Sequence, residues 1–183
     1  MPAVVTSGNQ ARQKAEILAR VRALTPAIRG RSEAAEAARR LPQESVDELV
    51  AAGIARMLVP ARYGGYELGL DAWLEVVLEV AKADASHGWC ASLIIHHPHY
   101  LAQFPQAAQD AVWRDGPDVV IATSLEPRCE VAGTESGYRV SGRSPFTSGI
   151  LHSSWILVGG MLPDAAGAEP ALFLIAPGRS LPS

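Results

Sequence analysis

The chain has 183 residues, of which 48% are apolar and 19% are charged, and its formal net charge is −3. This composition allows a hydrophobic core and excludes a disordered or collagen-like protein. The negative balance offers no basic surplus for a nucleic-acid backbone or an anionic lipid surface, so we expect neither nucleic acid nor membrane as a partner.

Cysteine usage and the absence of long apolar runs indicate a cytoplasmic protein. Cys90 and Cys129 form no C-x-x-C pair, which argues against a metal knuckle, a redox motif and a disulfide framework. The N-terminal region has no signal-peptide h-region, and no apolar run reaches the roughly 18 residues of a membrane span.

Helical spacing dominates the first part of the chain. Apolar residues at three- and four-residue steps predict a first helix from about Gln10 to Arg40. Further helices are predicted at about Pro42 to Gly53, Leu70 to Ala85, Ser86 to Phe104 and Gln106 to Arg114. The Ser86 to Phe104 helix is apolar on all sides, which is typical of a helix inside an assembly.

From about Asp118 the pattern changes to short β-branched runs separated by turn residues. Strands are predicted at 119–124, 138–142, 154–158 and 171–175. We therefore predict an α+β protein, with an N-terminal all-α domain over residues 1–117 and a β domain over residues 118–183.

Three histidines lie close together in the apolar helix, at His96, His97 and His99. Neighbours at one- and two-residue offsets do not share a helix face, and no metal-binding signature is present, so we predict no metal site. One of these side chains could accept a proton from a phenol in a buried cavity. The residues alone favour the alternative, a structural histidine bonded to a backbone carbonyl that Pro98 leaves free.

Hydroxyl side chains gather at Thr123-Ser124 and at Thr147-Ser148-Gly149. A flavin ring needs hydrogen-bonding groups on an apolar floor, which small hydroxyls and backbone amides can supply. The same residues are also common in turns. No G-x-G-x-x-G, Walker or G-x-S-x-G motif is present, so a Rossmann site, a P-loop and a serine hydrolase are not indicated.

Four segments together resemble the acyl-CoA dehydrogenase superfamily. They are Ala52-Gly53-Ile54 through Val59-Pro60 to Tyr63-Gly64-Gly65, then Ala83-Asp84-Ala85-Ser86, Ser124-Leu125-Glu126-Pro127 and Gly137 to Arg143. Within the superfamily, three further segments resemble its flavin-dependent monooxygenase branch, the oxygenase components of two-component aromatic hydroxylases of the 4-hydroxyphenylacetate 3-hydroxylase type. These segments are Gly88-Trp89, His97-Pro98 with Leu101-Ala102 and Phe104, and Phe146 to Gly149 with His152 and Trp155.

The resemblance implies an antiparallel β domain, here incomplete, and a C-terminal helical bundle that the chain lacks. It also implies a non-covalent reduced flavin, FMN or FAD, delivered by a separate flavin reductase and used with O₂ to hydroxylate a small aromatic substrate. Full-length members of the family form tetramers, so a homo-oligomer is expected.

The resemblance also assigns residues to the site. His97 and Ser148 are the implied catalytic residues, and His97, Trp89 and Tyr100 would contact the substrate. The implied cofactor-binding residues are Thr123, Ser124, Phe146, Thr147 and Ser148. Which of Thr123 and Ser124 faces the flavin stays open. Ser144 stands where the hydroxylases often carry tryptophan.

Two alternatives remain. Ser124-Leu125-Glu126-Pro127 echoes the Thr-Glu-Pro of acyl-CoA dehydrogenases, which oxidise thioesters. The chain could also be a non-catalytic fragment whose uncovered helices associate with other chains. We expect the 183-residue chain by itself not to be a competent hydroxylase.

Overall fold

The computed structural model describes residues 7–135, 137–164 and 167–175. Its contacts divide the chain into two compact units, one ending at Val120 and the other beginning at Ile121. Helices make up the first unit and strands the second, which confirms the α+β class. The last eight residues of the predicted β domain, 176–183, lie outside the described residues.

The helices of the first unit follow the predicted order. They are α1 (Ser7–Gly30), α2 (Ser32–Ala38), α3 (Gln43–Ala51), α4 (Leu70–Ala81), α5 (Ala85–Leu101) and α6 (Gln106–Trp113). The single first helix predicted from Gln10 to Arg40 was wrong, because the chain breaks at Arg31. In the described part of the chain, no helix is long and apolar enough to cross a membrane.

Gly53 ends α3 as the sequence predicts. Its φ is 97°, a left-handed conformation that glycine adopts without a Cβ penalty. The Gly53 amide donates to the Val50 carbonyl at 2.8 Å, and the Ile54 amide donates to the Leu49 carbonyl at 3.4 Å. This pair of bonds is a Schellman cap, and it turns the chain out of α3.

The core of the first unit lies among α1, α3, α4 and α5. Buried side chains from these helices form one cluster that includes Ile17, Val21, Leu49, Val76, Val80, Ala91 and Ile95. At one end α4 and α5 approach closely, since a Cβ added to Gly88 would lie 2.6 Å from the Ala81 Cβ. A larger residue than glycine would push the two helices apart.

Four strands form the sheet of the second unit. They are β1 (Ile121–Thr134), β2 (Gly137–Ser141), β3 (Trp155–Asp164) and β4 (Gly167–Ile175), in the order β2-β1-β3-β4. β1 pairs antiparallel with β2, and β3 with β4, but β1 and β3 run parallel. The sheet is therefore mixed, and the expectation of an antiparallel domain was wrong for this central pair.

β1 is much longer than predicted and is irregular in its middle. Its pairing with β3 shifts register between Ser124 and Cys129. Gly159 of β3 faces this irregular stretch, where an added Cβ would meet the Leu125 and Glu126 carbonyl oxygens at 2.6 Å. The backbones come together there because β3 has no side chain at that position.

Candidate functional site

An aspartate–histidine pair fixes the start of α5, the helix that carries the predicted substrate-binding residues. The Asp84 carboxylate caps the helix by accepting the His87 amide at 2.8 Å, and it also lies 2.6 Å from Nδ1 of the His87 ring. Burial raises the pKa of Asp84, but its hydrogen bonds to His87 and Ser32 outweigh burial, so the pKa is lowered. A charged carboxylate is therefore held at the helix N-terminus, where the helix dipole favours it.

The three predicted substrate-binding residues do not share one environment. His97 is buried, with 4% of its surface exposed, whereas Trp89 is 60% exposed and Tyr100 is half-buried. The His97 and Tyr100 rings are 6.3 Å apart between centroids. At about 100° per residue, Trp89 and Tyr100 lie on one face of α5, and His97 lies roughly 60 to 80° from them toward the core.

An aromatic cluster that the sequence did not predict occupies that outer face. His96 stacks on Trp73 of α4 with 5.3 Å between ring centroids and meets the Tyr100 ring edge-on at 4.8 Å. The Trp73 indole donates to the Ser92 carbonyl at 3.1 Å. Burial lowers the pKa of His96, and His99 lowers it further by charge repulsion, so the neutral imidazole is favoured at neutral pH.

Thr123 and Ser124 lie on the buried first half of β1, and they differ in their bonding. Adjacent strand residues point to opposite faces of a sheet. The Ser124 hydroxyl donates to the Pro145 carbonyl at 3.0 Å. The Thr123 hydroxyl is buried, with 6% of the residue exposed, and it has no hydrogen-bond partner among the described residues.

The segment after β2 carries the remaining predicted cofactor-binding residues. Phe146 has a φ of 57° and is 89% exposed, while Thr147 and Ser148 are half-buried. The Thr147 hydroxyl donates to the Ser144 carbonyl at 2.9 Å. The Ser144 Oγ lies 3.2 Å from the Cys129 Sγ.

The structure thus gathers the predicted site residues into two groups, one in each unit. His97 and Tyr100 lie together in the first unit, and Trp89 lies farther along the outer face of α5. In the second unit, Ser124 is bonded to the segment that carries Phe146, Thr147 and Ser148, whereas the Thr123 hydroxyl has no partner in the described part of the chain. No group of three His, Cys, Asp or Glu side chains within the described ranges is placed to hold a metal ion.

A family comparison matches most of the first unit. The sequence model of the acyl-CoA dehydrogenase N-terminal domain matches residues 7–114, which is more than half of the chain.

Curated relatives are similar over nearly the whole chain. The oxygenase subunit HsaA of a flavin-dependent monooxygenase from Rhodococcus jostii (strain RHA1) is 36% identical over 85% of this chain and 41% of its own length. The oxygenase component of an FADH₂-dependent resorcinol hydroxylase from Rhizobium sp. (strain MTP-10005) is 31% identical over 92% of this chain and 41% of its own. The chain therefore spans about two fifths of the length of these relatives.

A solved structure shows the same fold. XiaF from Streptomyces sp., in complex with FADH₂ and glycerol, matches with a TM-score of 0.84 and 28% identity over 94% of this chain and 44% of that chain.

Proposed function

This chain belongs to the acyl-CoA dehydrogenase N-terminal domain family, and from that premise we propose that it is part of the oxygenase component of a two-component, flavin-dependent aromatic hydroxylase. The reaction adds one oxygen atom to a small phenolic ring with reduced flavin and O₂. Support comes from relatives whose names describe such oxygenase components.

The observation that carries the proposal is the buried hydroxyl of Thr123, which has no hydrogen-bond partner in the residues that the structure describes, in the same unit as the exposed side chain of Phe146. A buried hydroxyl without a partner costs free energy unless a ligand bonds to it. A flavin offers both hydrogen-bonding edges and a broad planar face. The residues present therefore fit the group that the relatives' names mention.

In this proposal Thr123, Ser124, Phe146, Thr147 and Ser148 form the chain's contribution to the flavin site. When bound, the reduced flavin supplies the electrons that activate O₂. Small hydroxyls and an aromatic ring hold the cofactor without a charged partner and keep bulk water from its face.

His97 is the proposed catalytic residue for the substrate. Its imidazole accepts the proton of the phenol hydroxyl, which raises the electron density of the ring at the ortho carbon. Burial keeps this side chain in one orientation, because it has little room to rotate. Trp89 and Tyr100 provide aromatic surface on the neighbouring face of α5, where a flat substrate can pack.

The proposal extends to partners and location. A separate reductase supplies the flavin, the working form is a homo-oligomer, and the protein acts in the cytoplasm. The helical domain over residues 1–117 contributes the substrate-binding histidine, and the β domain from residue 118 contributes the flavin-binding hydroxyls.

A chimera tests the activity. This chain replaces the corresponding part of the Rhodococcus jostii relative, and the purified chimera is supplied with FMN or FAD, a flavin reductase, NADH, O₂ and a phenol. We expect a catechol product that depends on the phenol. Dye reduction driven by an acyl-CoA, without catechol formation, would identify a dehydrogenase and refute the proposal.

Substitution of His97 tests its role in the same chimera. We expect His97→Ala to lower the hydroxylation rate by about 100-fold, since a positioned base contributes about that much, with flavin affinity nearly unchanged. His99→Ala is the matched control, because His99 is an exposed histidine on the same helix, and we expect little effect. Equal losses of rate and flavin affinity in His97→Ala would make His97 a structural residue.

A further inference from the structure

Phe146 combines two features that are unfavourable on their own. Its φ of 57° places a bulky side chain in the left-handed region, where Cβ crowds the following carbonyl. Its ring is also 89% exposed, so no burial within the described chain offsets that cost. Such a conformation persists only where the surrounding structure imposes it, and it is concentrated at ligand-binding positions.

The contacts that impose this conformation flank Phe146 on both sides. The carbonyl of Pro145, the residue before it, accepts the Ser124 hydroxyl at 3.0 Å. The hydroxyl of Thr147, the residue after it, donates to the Ser144 carbonyl at 2.9 Å. The backbone is therefore bonded immediately before and after the strained residue, while the ring itself stays uncovered.

β1 holds the same segment at a second point. The Cys129 Sγ lies 3.2 Å from the Ser144 Oγ, and an added Cβ on Gly142 would lie 3.1 Å from the Cys129 Cα. Ser124 and Cys129 stand at the two ends of the register shift in β1. The irregular strand β1 therefore holds the segment after β2 at two points. Cys129 contacts its start, at Gly142 and Ser144, and Ser124 bonds to Pro145.

Of these attachments, the Ser124 bond is the one that links the residue before Phe146 to a buried residue of β1. Ser124 is 4% exposed and sits in the parallel pairing with β3, opposite Val158. A hydroxyl that donates to a backbone carbonyl cannot donate its single hydrogen to a ligand at the same time. Ser124 therefore acts on the segment and not on a ligand, whereas the adjacent Thr123 hydroxyl, which has no partner among the described residues, points to the opposite face of the sheet.

We propose that Ser124 is a positioning residue that holds the Pro145 carbonyl and thereby presents the Phe146 ring for stacking against the planar ring of the flavin. This inference rests on the proposed function for the identity of the ligand. It gives Ser124 a role in shaping the site that requires no contact between Ser124 and the cofactor.

Hydrogen–deuterium exchange of the ligand-free chain tests the positioning role without flavin. In Ser124→Ala, we expect peptides covering residues 144–150 to exchange about tenfold faster, because one buried hydrogen bond restrains that segment. Ser153→Ala is the matched control, since it removes a serine bond of the same kind, to the Ile150 carbonyl at 3.0 Å. Since Ile150 is the last residue of these peptides, this control should change exchange only at the Ile150 end and leave exchange next to Phe146 slow. Ser124→Thr retains the hydroxyl and should restore slow exchange.

Flavin titration tests the connection to Phe146. FMN and FAD are titrated separately into the wild-type chain, Ser124→Ala, Phe146→Ala and the double variant, and quenching of flavin fluorescence is followed. If Ser124 acts through Phe146, each single variant weakens binding by about tenfold, and the double variant is no weaker than Phe146→Ala. If the two substitutions acted independently, their losses of flavin affinity would instead multiply in the double variant.

The outcomes separate the two claims. Unchanged exchange at residues 144–150 in Ser124→Ala, or multiplied losses of affinity in the double variant, overturns the positioning role. If the wild-type chain binds neither flavin, the assignment of the cofactor to this chain fails, and the exchange result still decides whether Ser124 positions Phe146.

Discussion

Thr123 and Ser124 are adjacent in sequence, but only one of their two hydroxyls forms a hydrogen bond among the described residues. Ser124 donates to a backbone carbonyl, while the buried Thr123 hydroxyl has no partner among the described residues. A buried polar group without a hydrogen bond destabilises the folded state. Thr123 therefore carries a cost to stability that binding of a ligand would offset.

Replacement of Thr123 by valine tests that cost. Valine has nearly the same shape and no hydroxyl, so we expect the free energy of unfolding of the second unit to rise by about 1 kcal/mol. Flavin affinity should fall at the same time, because the ligand loses a hydrogen bond. Deuterium exchange of the β1 amides measures the first effect, and flavin titration measures the second.

Thr147→Val provides the opposite case, since the Thr147 hydroxyl has a partner in the Ser144 carbonyl. We expect this change to lower the unfolding free energy by about 1 kcal/mol. If Thr123→Val also lowers the unfolding free energy, the Thr123 hydroxyl is not an unsatisfied group in solution.

At the scale of helices, the break at Arg31 shows why periodicity alone merged α1 and α2. α1 ends at Gly30 with Arg29 in its last turn, residues that favour a helix C-terminus, but the apolar spacing and the helix-forming residues continue across the break, and periodicity alone overrides that signal. A tertiary contact also holds the break: the Arg31 guanidinium forms two bonds with the Glu48 carboxylate of α3, at 2.6 and 3.2 Å. A distant ion pair of this kind cannot be read from spacing.

The Arg31–Glu48 pair predicts a pH-dependent stability. Hydrogen bonding to Arg31 is the main cause that lowers the pKa of Glu48 below its ordinary 4.5. The stabilisation is therefore complete above pH 4.5 and is lost as the pH falls through the lowered pKa. We expect Glu48→Gln to cost about 1 kcal/mol at neutral pH and progressively less as the pH falls below the ordinary pKa of 4.5. Urea denaturation followed by far-ultraviolet circular dichroism measures the cost at each pH.

Glu44→Gln is the control for this pair, because Glu44 also contacts Arg31, at 2.9 Å, but its side chain is 68% exposed. An exposed ion pair contributes only roughly a few tenths of a kcal/mol to the free energy of unfolding. If the loss of unfolding free energy in Glu48→Gln does not change with pH, the effect comes from packing and the ion-pair explanation is wrong.

The approach of α4 to α5 gives a prediction about packing. In Gly88→Ala, the new Cβ would meet the Ala81 Cβ at 2.6 Å and the Ala81 Cα at 2.8 Å, so we expect a loss of about 1 to 3 kcal/mol in unfolding free energy. Gly30→Ala is the matched control, since its added Cβ would meet no described atom within 4 Å apart from its chain neighbours and the nearby backbone of α1. It should be neutral or stabilising by up to about 1 kcal/mol. Equal effects in urea denaturation would show that α4 and α5 have room to separate.

The same distinction between local and tertiary signals explains how far the sequence could predict the site. The Gly53 cap and the helical and strand-rich halves depend on local propensity and periodicity, and they were predicted correctly. The parallel pairing of β1 with β3, the stacking of His96 on Trp73 and the bond from Ser124 to Pro145 join residues distant in the chain. A single sequence carries no signal for those pairings, which is why Thr123 and Ser124 could not be told apart.

At the scale of the whole molecule, α4 exposes a regular apolar stripe. Leu70, Leu74 and Leu78 follow one another at four-residue steps and are 54%, 51% and 52% exposed. Residues at this spacing share one face of a helix. A contiguous apolar face of this kind is typical of a surface that contacts another part of an assembly.

The stripe predicts that the chain associates in solution, and that association depends on α4. We expect sedimentation velocity to show a weight-average mass that rises with concentration, because association removes the leucines from water. The double variant Leu74→Lys/Leu78→Lys places two charges on the stripe and should reduce that rise by at least about tenfold in association constant. Leu151→Lys is the control, since Leu151 is an exposed leucine outside α4 and its substitution should leave the association unchanged. Association that survives in the α4 variant, or that disappears equally in Leu151→Lys, would place the contact surface elsewhere on the molecule.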